Sequence, residues 1–229
     1  MKVSCIIPAL NEALFISSAI ASATSDAEVI VVDGGSTDGT LEVIKGLDIK
    51  VLRAGPNRGR QMDAGAACSN ADVLLFLHAD SRLPHGWHSA VKDALAPTDV
   101  VAGAFGLSID SAGICYRIIE RAIRWRSRIF GLIYGDQAIF VKKETFLRVG
   151  GYNGLALMED VDCVKRLRGI GQVALLDQNV KTSARRWQGK GIVKTMFMNW
   201  ALLFLYYMDV PPATLYKWYY KERNKPHGD

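Results

Sequence analysis

The stretch VIVVDGGSTDGT, residues Val29–Thr40, joins four apolar residues to a polar loop that holds two carboxylates and three glycines. A continuous apolar run is typical of a strand that is buried on both faces of a parallel sheet. Glycines after the strand let the backbone approach a ligand closely, and the carboxylate of Asp33 stands at the strand end. The alternative is an ordinary turn in which Asp38 or Thr37 caps the next helix.

Two more apolar runs of the same kind occur in the first 80 residues, at Val3–Pro8 and Val73–Leu77. Helix-like segments separate the runs, at about Ala13–Ala23, Gly39–Lys45 and Gly59–Ser69. This alternation predicts an α/β domain with a Rossmann-like, mostly parallel sheet flanked by helices, and with right-handed crossovers.

The pattern changes after the third apolar run. It predicts two strands, Val100–Ile109 and Gln137–Val141, and two helices, Cys115–Phe130 and Met158–Arg168. A chain of 229 residues with 49% hydrophobic residues is large enough to bury a substantial core in one such domain.

Positive charge is concentrated near the C-terminal end. Residues 181–229 hold nine Lys or Arg and three Asp or Glu, whereas residues 1–180 hold nineteen and twenty. A basic excess suits an anionic partner such as a phosphate, a lipid surface or a nucleic acid. The Arg-rich segment Arg117–Arg128 is a candidate to join such a surface or to contact an anionic acceptor.

The apolar run Ile192–Met208 is interrupted by Lys194 and Asn199, and a membrane span needs about twenty mostly apolar residues. We therefore expect a main domain over residues 1–190 and a helical extension over residues 191–229. The extension packs on that domain, on a dimer partner or on a membrane surface.

The N-terminal apolar run is too short for a signal peptide, and the four cysteines form no CxxC pair, which is typical of reduced thiols. We expect a cytoplasmic protein, with peripheral contact at the inner membrane face as an open alternative.

Polar side chains follow all three apolar strands. They are Asn11, Glu12, Asp33, Asp38, His78 and Asp80. In an open parallel sheet, ligands bind outside the carboxyl ends of the strands. Asp80 is a candidate ligand for Mg²⁺ or Mn²⁺, which prefer oxygen ligands and are often shared with substrate phosphates. Loop solvation is the alternative for Asp80, and His78 is a ligand, a neighbour of one or simply a strand-end residue.

Two later segments add acidic and basic groups. ALMEDVDC holds Glu159, Asp160 and Asp162, and crowded carboxylates raise one another's pKa, so that one can serve as a base. The alternative is that these charges favour a helix N-terminus. In SARRW, Arg185 and Arg186 match phosphate geometry, and a solvated basic loop is the alternative.

Taken together, these loops resemble glycosyltransferase family 2 with the GT-A fold, over roughly residues 1–190. The matching motifs, in family order, are PALNE (Pro8–Glu12), VVDGGSTDGT (Val31–Thr40), NRGRQMDAGA (Asn57–Ala66), HADS (His78–Ser81), GDQAIFVKKETFLRVGGY (Gly135–Tyr152) and EDVD (Glu159–Asp162). The chain is similar to small stand-alone bacterial members, among them those of arsenosugar-type biosynthesis.

The resemblance implies an inverting, hexosyltransferase-like enzyme that uses Mn²⁺ or Mg²⁺ and a nucleotide-sugar donor, a UDP-sugar in preference to a GDP-sugar. The acceptor is a hydroxyl or a lipid phosphate. The implied donor-pocket residues are Pro8, Asn11, Glu12 and Asp33, with Asp33 on the base or ribose. Asp80 is the implied metal ligand and Asp160 the implied catalytic base. Arg60 and Arg185 or Arg186 are candidates for the phosphate oxygens.

The chain departs from the family pattern in two places. His78 stands where the first acid of the DxD motif is expected, which puts the sugar or ribose contact made there in doubt. Ser183 stands where processive members carry the Gln of QxxRW, and the chain has no multiple membrane-spanning runs. We therefore expect transfer of a single sugar rather than synthesis of a polymer.

Two other functions stay open at this point. A nucleotidyltransferase also uses a βαβ nucleotide fold, but it usually has a glycine-rich, basic loop after the first strand, where this chain has PALNEA. A non-catalytic module that binds a membrane surface or a partner is the other, motivated by His78. We expect no nucleic-acid partner, and a homodimer is open.

Overall fold

The computed structural model describes residues 1–155 and 157–223. The side chains of Arg186, Lys190, Val193 and residues 220–223 lie outside the described set, so the prediction for Arg186 has no structural counterpart. The strands are β1 (Val3–Ala9), β2 (Glu28–Asp33), β3 (Lys50–Arg53), β4 (Val73–Phe76), β5 (Ser81–Arg82), β6 (Val100–Asp110), β7 (Phe140–Lys142) and β8 (Gln172–Ser183).

Helices connect and flank these strands. They are α1 (Ile16–Ala23), α2 (Thr40–Val43), α3 (Arg58–Cys68), α4 (Trp87–Ala94), α5 (Ile114–Phe130), α6 (Lys143–Arg148), α7 (Glu159–Arg168), α8 (Arg185–Lys190), α9 (Ile192–Tyr207) and α10 (Pro212–Arg223), with a 3₁₀ turn at Gly135–Gln137.

The strands form one sheet in the order β3-β2-β1-β4-β7-β6-β8-β5. β1 is parallel to β2 and β4, and β2 is parallel to β3, so the first half of the sheet is parallel. β7 is antiparallel to both β4 and β6, and β8 is parallel to β6. The carboxyl ends of β1, β2 and β4 therefore meet at one edge of the sheet.

Side chains on the central strands alternate between two cores, as the period of two in a strand requires. Ile7 and Val31 pack on one face together with Ile20 of α1. Ile6 points to the other face, where α3 crosses the sheet. A Cβ on Gly65 of α3 would lie 2.5 Å from Ile6 Cγ2, so glycine is what allows the helix to approach this closely. Burial on both faces explains the unbroken apolar runs.

Several element boundaries differ from the sequence-based predictions. α1 begins at Ile16 rather than Ala13, because Asn11 has a left-handed φ of 57° and the following residues bond to the β2–α2 loop. The strand predicted at Gln137–Val141 begins only at Phe140, since residues 135–137 form the 3₁₀ turn. β3 and β8 were not predicted. β3 is short and mostly exposed, and in β8 the apolar run Val173–Leu176 is followed by the exposed residues Asp177–Asn179.

The segment after residue 191 is helical through α9 and α10. Leu202 and Leu203 of α9 are buried, and the Tyr206 hydroxyl donates a hydrogen bond of 3.0 Å to Asp162 of α7. Among the helices that the structure describes, none is both long enough and apolar enough to cross a membrane.

Candidate functional site

The loops after β1 and β2 are tied together by hydrogen bonds. The backbone N–H of Asn11 donates to Ser36 Oγ at 2.9 Å, and Asn11 Oδ1 accepts from the N–H of Thr37 at 2.9 Å. The N–H of Glu12 donates to Thr40 Oγ1 at 2.8 Å. The two polar loops that the sequence singled out therefore form one surface.

The two aspartates of the β2 loop are both engaged in that loop. Asp33 is 1% exposed and accepts the N–H groups of Gly35 at 3.0 Å and Ser36 at 3.2 Å. Asp38 accepts the N–H of Thr40, the first residue of α2, at 3.0 Å, and hydrogen bonding by Thr40 lowers the pKa of Asp38. The turn alternative thus accounts for Asp38, and Asp33 has turn-stabilising bonds that the sequence argument had not expected.

Gln61 of α3 fixes the ends of the two central strands. Its Nε2 donates to Ala9 O at 2.9 Å and to Val32 O at 2.8 Å, and the residue is 4% exposed. Sequence reasoning missed this residue. The available signal was a glutamine on the buried side of a helix, where a polar group must find partners.

Arg185, at the start of α8, joins the ends of β1 and β4. Its Nε lies 3.1 Å from Asp80 Oδ2, and its Nη2 donates to Glu12 Oε1. The guanidinium also lies 4.8 Å from the ring centre of Phe15, within the range of a cation–π contact. Three residues that the sequence predicted for the site are therefore in contact, although Arg185 follows Asp80 by 105 positions.

The pair of carboxylates around Arg185 can accommodate a further cation. Burial raises the pKa of Glu12, Arg185 opposes that effect, and the charge of Asp80 adds to it. In the part of the chain that the structure describes, Glu12 Oε2 is buried without a hydrogen-bond partner. Two carboxylates thus share one guanidinium, and the cluster has a net negative charge.

This cluster suits a divalent cation that is shared with a ligand. Within residues 1–155 and 157–223, no three His, Cys, Asp or Glu side chains lie close enough together to hold a metal ion on their own. Mg²⁺ is commonly held by one or two carboxylates while phosphates and waters supply its other ligands. Asp80 with Glu12 beside it fits that donor set.

Asp160, in the first turn of α7, faces the backbone of Gly135. Its Oδ2 accepts the N–H of Gly135 at 2.6 Å. A Cβ on Gly135 would lie 3.2 Å from His78 Nε2 and 3.3 Å from Asp160 Oδ2, so both side chains converge on this glycine. Asp160 is therefore near His78, which comes two residues before Asp80 in the loop after β4.

The other two carboxylates of α7 differ from Asp160. Glu159 is 7% exposed, and burial, reinforced by the charge of Asp160 and opposed by Arg58, raises its pKa to about 7. Asp162 accepts a hydrogen bond of 2.8 Å from Arg166 Nε and forms an ion pair with Arg166 Nη2 at 2.7 Å, so it has a structural partner. One acidic segment therefore holds three carboxylates in three environments.

The two arginines at the start of α3, Arg58 and Arg60, lie against different neighbours. The structure places the Arg60 side chain against Gly154, with Cγ and Nε each 3.5 Å from where a Cβ of that glycine would lie. Arg58 lies 4.0 Å from Glu159 and also interacts electrostatically with Glu12. Arg58 is thus a site residue that the sequence argument missed. Pro8 is buried within β1.

The chain matches a known family by sequence. The profile of Glycosyl transferase family 2 matches residues 4–154, which is more than half of the chain and includes Asn11, Asp33 and Asp80. An uncharacterized glycosyltransferase of Nostoc sp. (strain PCC 7120) is 38% identical over 120 residues, covering 48% of this chain and 37% of that protein. The match thus spans little more than a third of that relative's length.

Solved structures are similar in fold. TarS of S. aureus, as a fragment in complex with UDP, has a TM-score of 0.63 at 16% identity, covering 80% of this chain and 60% of that chain. Mannosyltransferase PcManGT from Pyrobaculum calidifontis, in complex with GDP-Man and Mn²⁺, has a TM-score of 0.60 at 19% identity, covering 80% and 56%.

A third solved structure is glucosyl-3-phosphoglycerate synthase from Mycobacterium tuberculosis, in complex with Mn²⁺, UDP and phosphoglyceric acid. Its TM-score is 0.55 at 20% identity, covering 79% of this chain and 70% of that chain. At these identities the likeness concerns the fold alone. Profile and fold agree, and the chain belongs to glycosyl transferase family 2 and has its GT-A fold.

Proposed function

We propose that this chain is a metal-dependent, inverting glycosyltransferase that moves a single sugar from a nucleotide-diphosphate sugar to an acceptor. The observation that carries the proposal is the cluster in which Arg185 contacts both Glu12 and Asp80 at the carboxyl ends of β1 and β4. Mixed charge at this edge of a parallel sheet suits a diphosphate that is bridged to the protein by a divalent cation.

Asp80, with Glu12 as its neighbour, would hold Mn²⁺ or Mg²⁺ in this proposal. Such a cation supplies positive charge that stabilises the diphosphate as it leaves. Arg185 is placed to turn from the carboxylates toward phosphate oxygens, since it already lies at the rim and is 42% exposed. A planar guanidinium matches phosphate geometry well. Pro8, Asn11 and Asp33 would line the pocket for the nucleoside.

Asp160 is the proposed general base. Its carboxylate takes the proton of the acceptor hydroxyl while the acceptor oxygen forms a bond to the anomeric carbon. The bond from that carbon to the diphosphate oxygen breaks, and the electron pair stays on the diphosphate. Attack from the face opposite the diphosphate inverts the configuration. The N–H of Gly135 orients the carboxylate through its 2.6 Å hydrogen bond. An acceptor that is already an ionised lipid phosphate needs no such base.

The donor is proposed to be a UDP-sugar rather than a GDP-sugar. Among the similar structures, TarS and the phosphoglycerate synthase hold UDP, whereas the mannosyltransferase holds GDP-Man. The acceptor is a hydroxyl or a lipid phosphate. Family membership favours this function over a nucleotidyltransferase or a non-catalytic module. Cytoplasmic localisation and a homodimer stay predictions from the sequence.

A thermal-shift screen of UDP- and GDP-sugars, with and without Mn²⁺, tests the donor and the metal together. A ligand at 100 times its Kd stabilises the native state by about 2.7 kcal/mol. We expect a UDP-sugar to raise the Tm of the wild type only when Mn²⁺ is present. In Asp80→Asn, a UDP-sugar with Mn²⁺ should no longer raise the Tm. No shift with any nucleotide sugar would favour the non-catalytic module. Pyrophosphate release from a nucleoside triphosphate and a sugar phosphate would favour the nucleotidyltransferase.

A further inference from the structure

Helix α5 carries an exposed apolar stripe. Ile114, Ile118, Trp125 and Ile129 are between 56% and 77% exposed, and their spacing of four, seven and four residues places them on one side of the helix. The opposite side of α5 is buried at Ile119 and Ser127. The exposed stripe therefore does not contribute to the hydrophobic core.

Helix α9 carries a second exposed stripe, which is aromatic. Phe197, Trp200, Phe204 and Tyr207 are between 50% and 74% exposed and follow each other at three or four residues. Its buried side, at Leu202 and Leu203, holds the helix on the domain.

The two helices approach each other at two places. At the first, Ile119 and Ile123 in the middle of α5 belong to one hydrophobic cluster with Ile192 and Met196 near the start of α9. Near their ends, Phe130 and Tyr207 line the same cavity of 220 Å³. The two stripes therefore belong to one region of the surface, which we name the α5–α9 face and define by the eight apolar residues of the two stripes.

The tryptophans are distributed unevenly between the core and this region. Trp125, Trp200 and Trp218 are 50–57% exposed and lie on α5, α9 and α10, whereas Trp87 and Trp187 are buried. Tryptophan and tyrosine are enriched where one end of a side chain is apolar and the other is wet, as at a membrane interface. The composition of the α5–α9 face thus suits a lipid surface.

The positive charge of the same region favours an anionic bilayer over a second copy of this chain as its binding partner. α5 holds five arginines and one glutamate, and Lys194 of α9 and Lys217 of α10 are exposed. Arg124 and Arg128 both bond to Asp177, which leaves a net positive charge even there. A second copy related by a two-fold axis would bring this positive charge against itself. An anionic bilayer instead attracts it, by about 1 kcal/mol for each Lys or Arg near the surface.

We propose that the α5–α9 face is a membrane-docking surface that binds the interface of an anionic lipid bilayer peripherally. The exposed aromatic and branched side chains enter the boundary between headgroups and acyl chains, and Arg121, Lys194 and Lys217 contact anionic headgroups. This assignment combines α5, whose Arg-rich segment was a candidate from the sequence, with the C-terminal segment in one surface, and it adds the exposed apolar stripe of α5. It does not depend on the proposed transfer reaction.

Vesicle binding tests the proposal without any knowledge of substrates. The full chain is mixed with vesicles of phosphatidylcholine alone or of phosphatidylcholine with phosphatidylglycerol, and binding is measured by flotation. We expect binding to the anionic vesicles, weakened by salt, and little binding to phosphatidylcholine alone. Tryptophan emission should shift to the blue on binding, because the exposed tryptophans lie on α5, α9 and α10.

A matched pair of double variants assigns the surface. Ile118→Ser with Arg121→Gln alters the α5–α9 face, and Leu147→Ser with Arg148→Gln alters an exposed aliphatic residue and an exposed arginine of α6. Exposed substitutions of this kind usually change stability by no more than about 0.5 kcal/mol, which circular dichroism checks. We expect the α5 variant to bind anionic vesicles at least about tenfold more weakly and the α6 variant to bind as the wild type does.

Three results would overturn the assignment. One is absence of wild-type binding to anionic vesicles, and another is equal loss of binding in the two double variants. The third is a wild-type dimer in light scattering that dissociates in the α5 variant while vesicle binding is absent, since the face would then be an interface between two copies of this chain.

Discussion

Arg185 Nε lies 3.1 Å from Asp80 Oδ2, so a cationic side chain already occupies one oxygen of the proposed metal ligand. The same guanidinium donates to Glu12 Oε1. A metal ion held as proposed would therefore compete with Arg185 for these two carboxylates. This competition makes the effect of removing Arg185 different for the metal and for the nucleotide.

Arg185→Ala is expected to strengthen Mn²⁺ binding in the absence of nucleotide, because it frees Glu12 and Asp80 from a competing cation. It is expected to weaken Mn²⁺-dependent binding of UDP about tenfold or more, because a charge-assisted contact to phosphate is lost. Isothermal titration with Mn²⁺ alone and with UDP plus Mn²⁺ measures the two effects. Arg148→Ala, at an exposed position of α6, is the control. Weaker Mn²⁺ binding in Arg185→Ala would contradict the competition.

Asp160→Asn is expected to lower the rate of sugar transfer to a hydroxyl acceptor by about 10²- to 10⁴-fold, because the amide cannot take the acceptor's proton. Binding of the donor, measured by titration, should change little. Asp162→Asn is the matched control on the same helix turn. It removes the charge of a carboxylate that already binds Arg166 and Tyr206. We therefore expect Asp162→Asn to lower the Tm and to leave the transfer rate nearly unchanged. Equal rates for wild type and Asp160→Asn would reject the role of this base.

The parallel half of the fold was predictable from the sequence because its strands are buried on both faces. Val29–Val32 and Val73–Leu77 are apolar at every position, and the observed strands agree with them to within one residue at each end. β3 and β8 could not be found in the same way. The side chains of β3 are mostly exposed, and in β8 a stretch of exposed polar residues separates Val173–Leu176 from the buried Val180.

Part of the candidate site was predictable because its residues directly follow a strand. Asn11, Glu12 and Asp80 lie where strand ends place them. Arg185 was chosen for its chemistry, and the antiparallel pairing of β5 with β8 brings it to Asp80. Arg58 was not singled out because its closeness to Glu159 depends on how α3 packs, which the sequence NRGRQ does not reveal. Arg60 stays a predicted phosphate contact.

Gln61→Leu is expected to destabilise the protein by about 2 kcal/mol or more, because Ala9 O and Val32 O then lose a buried donor. For a chain of this size the Tm should fall by roughly 4–8 °C. Thermal unfolding followed by circular dichroism measures the change. Gln178→Leu, at an exposed position of β8, is the control and should leave the Tm nearly unchanged. An unchanged Tm in Gln61→Leu would show that the two hydrogen bonds from Gln61 to these strand ends do not stabilise the protein.

Gly135→Ala probes the convergence of His78 and Asp160. An added Cβ would meet His78 Nε2 at 3.2 Å and Asp160 Oδ2 at 3.3 Å, so these side chains must give by a few tenths of an ångström. A small displacement of the general base slows the reaction but changes the stability of the fold little. We therefore expect kcat to fall about tenfold. Gly55→Ala is the control, because a Cβ there meets nothing within 4 Å. Equal kcat for the two alanine variants would show that this glycine does not position Asp160.

The titration of Glu159 makes the free energy of unfolding depend on pH. Burial raises its pKa in the native state to about 7 from an ordinary value of 4.5. Between these values the native state binds more protons than the unfolded state, so the free energy of unfolding falls as pH rises and levels off above about pH 7. The contribution of Glu159 to the free energy of unfolding is fully present below its pKa in the unfolded state. It is lost as pH rises through its pKa in the native state.

Glu159→Gln removes this titration while it keeps the size of the side chain. From about pH 5 to about pH 8, the wild type should lose about 2 kcal/mol of unfolding free energy relative to Glu159→Gln. Urea unfolding at the two pH values measures the difference, and Glu144→Gln, at an exposed position of α6, should show no such trend. If the stability of the wild type relative to Glu159→Gln does not change over this range, Arg58, at 4.0 Å, outweighs burial and keeps the carboxylate ionised.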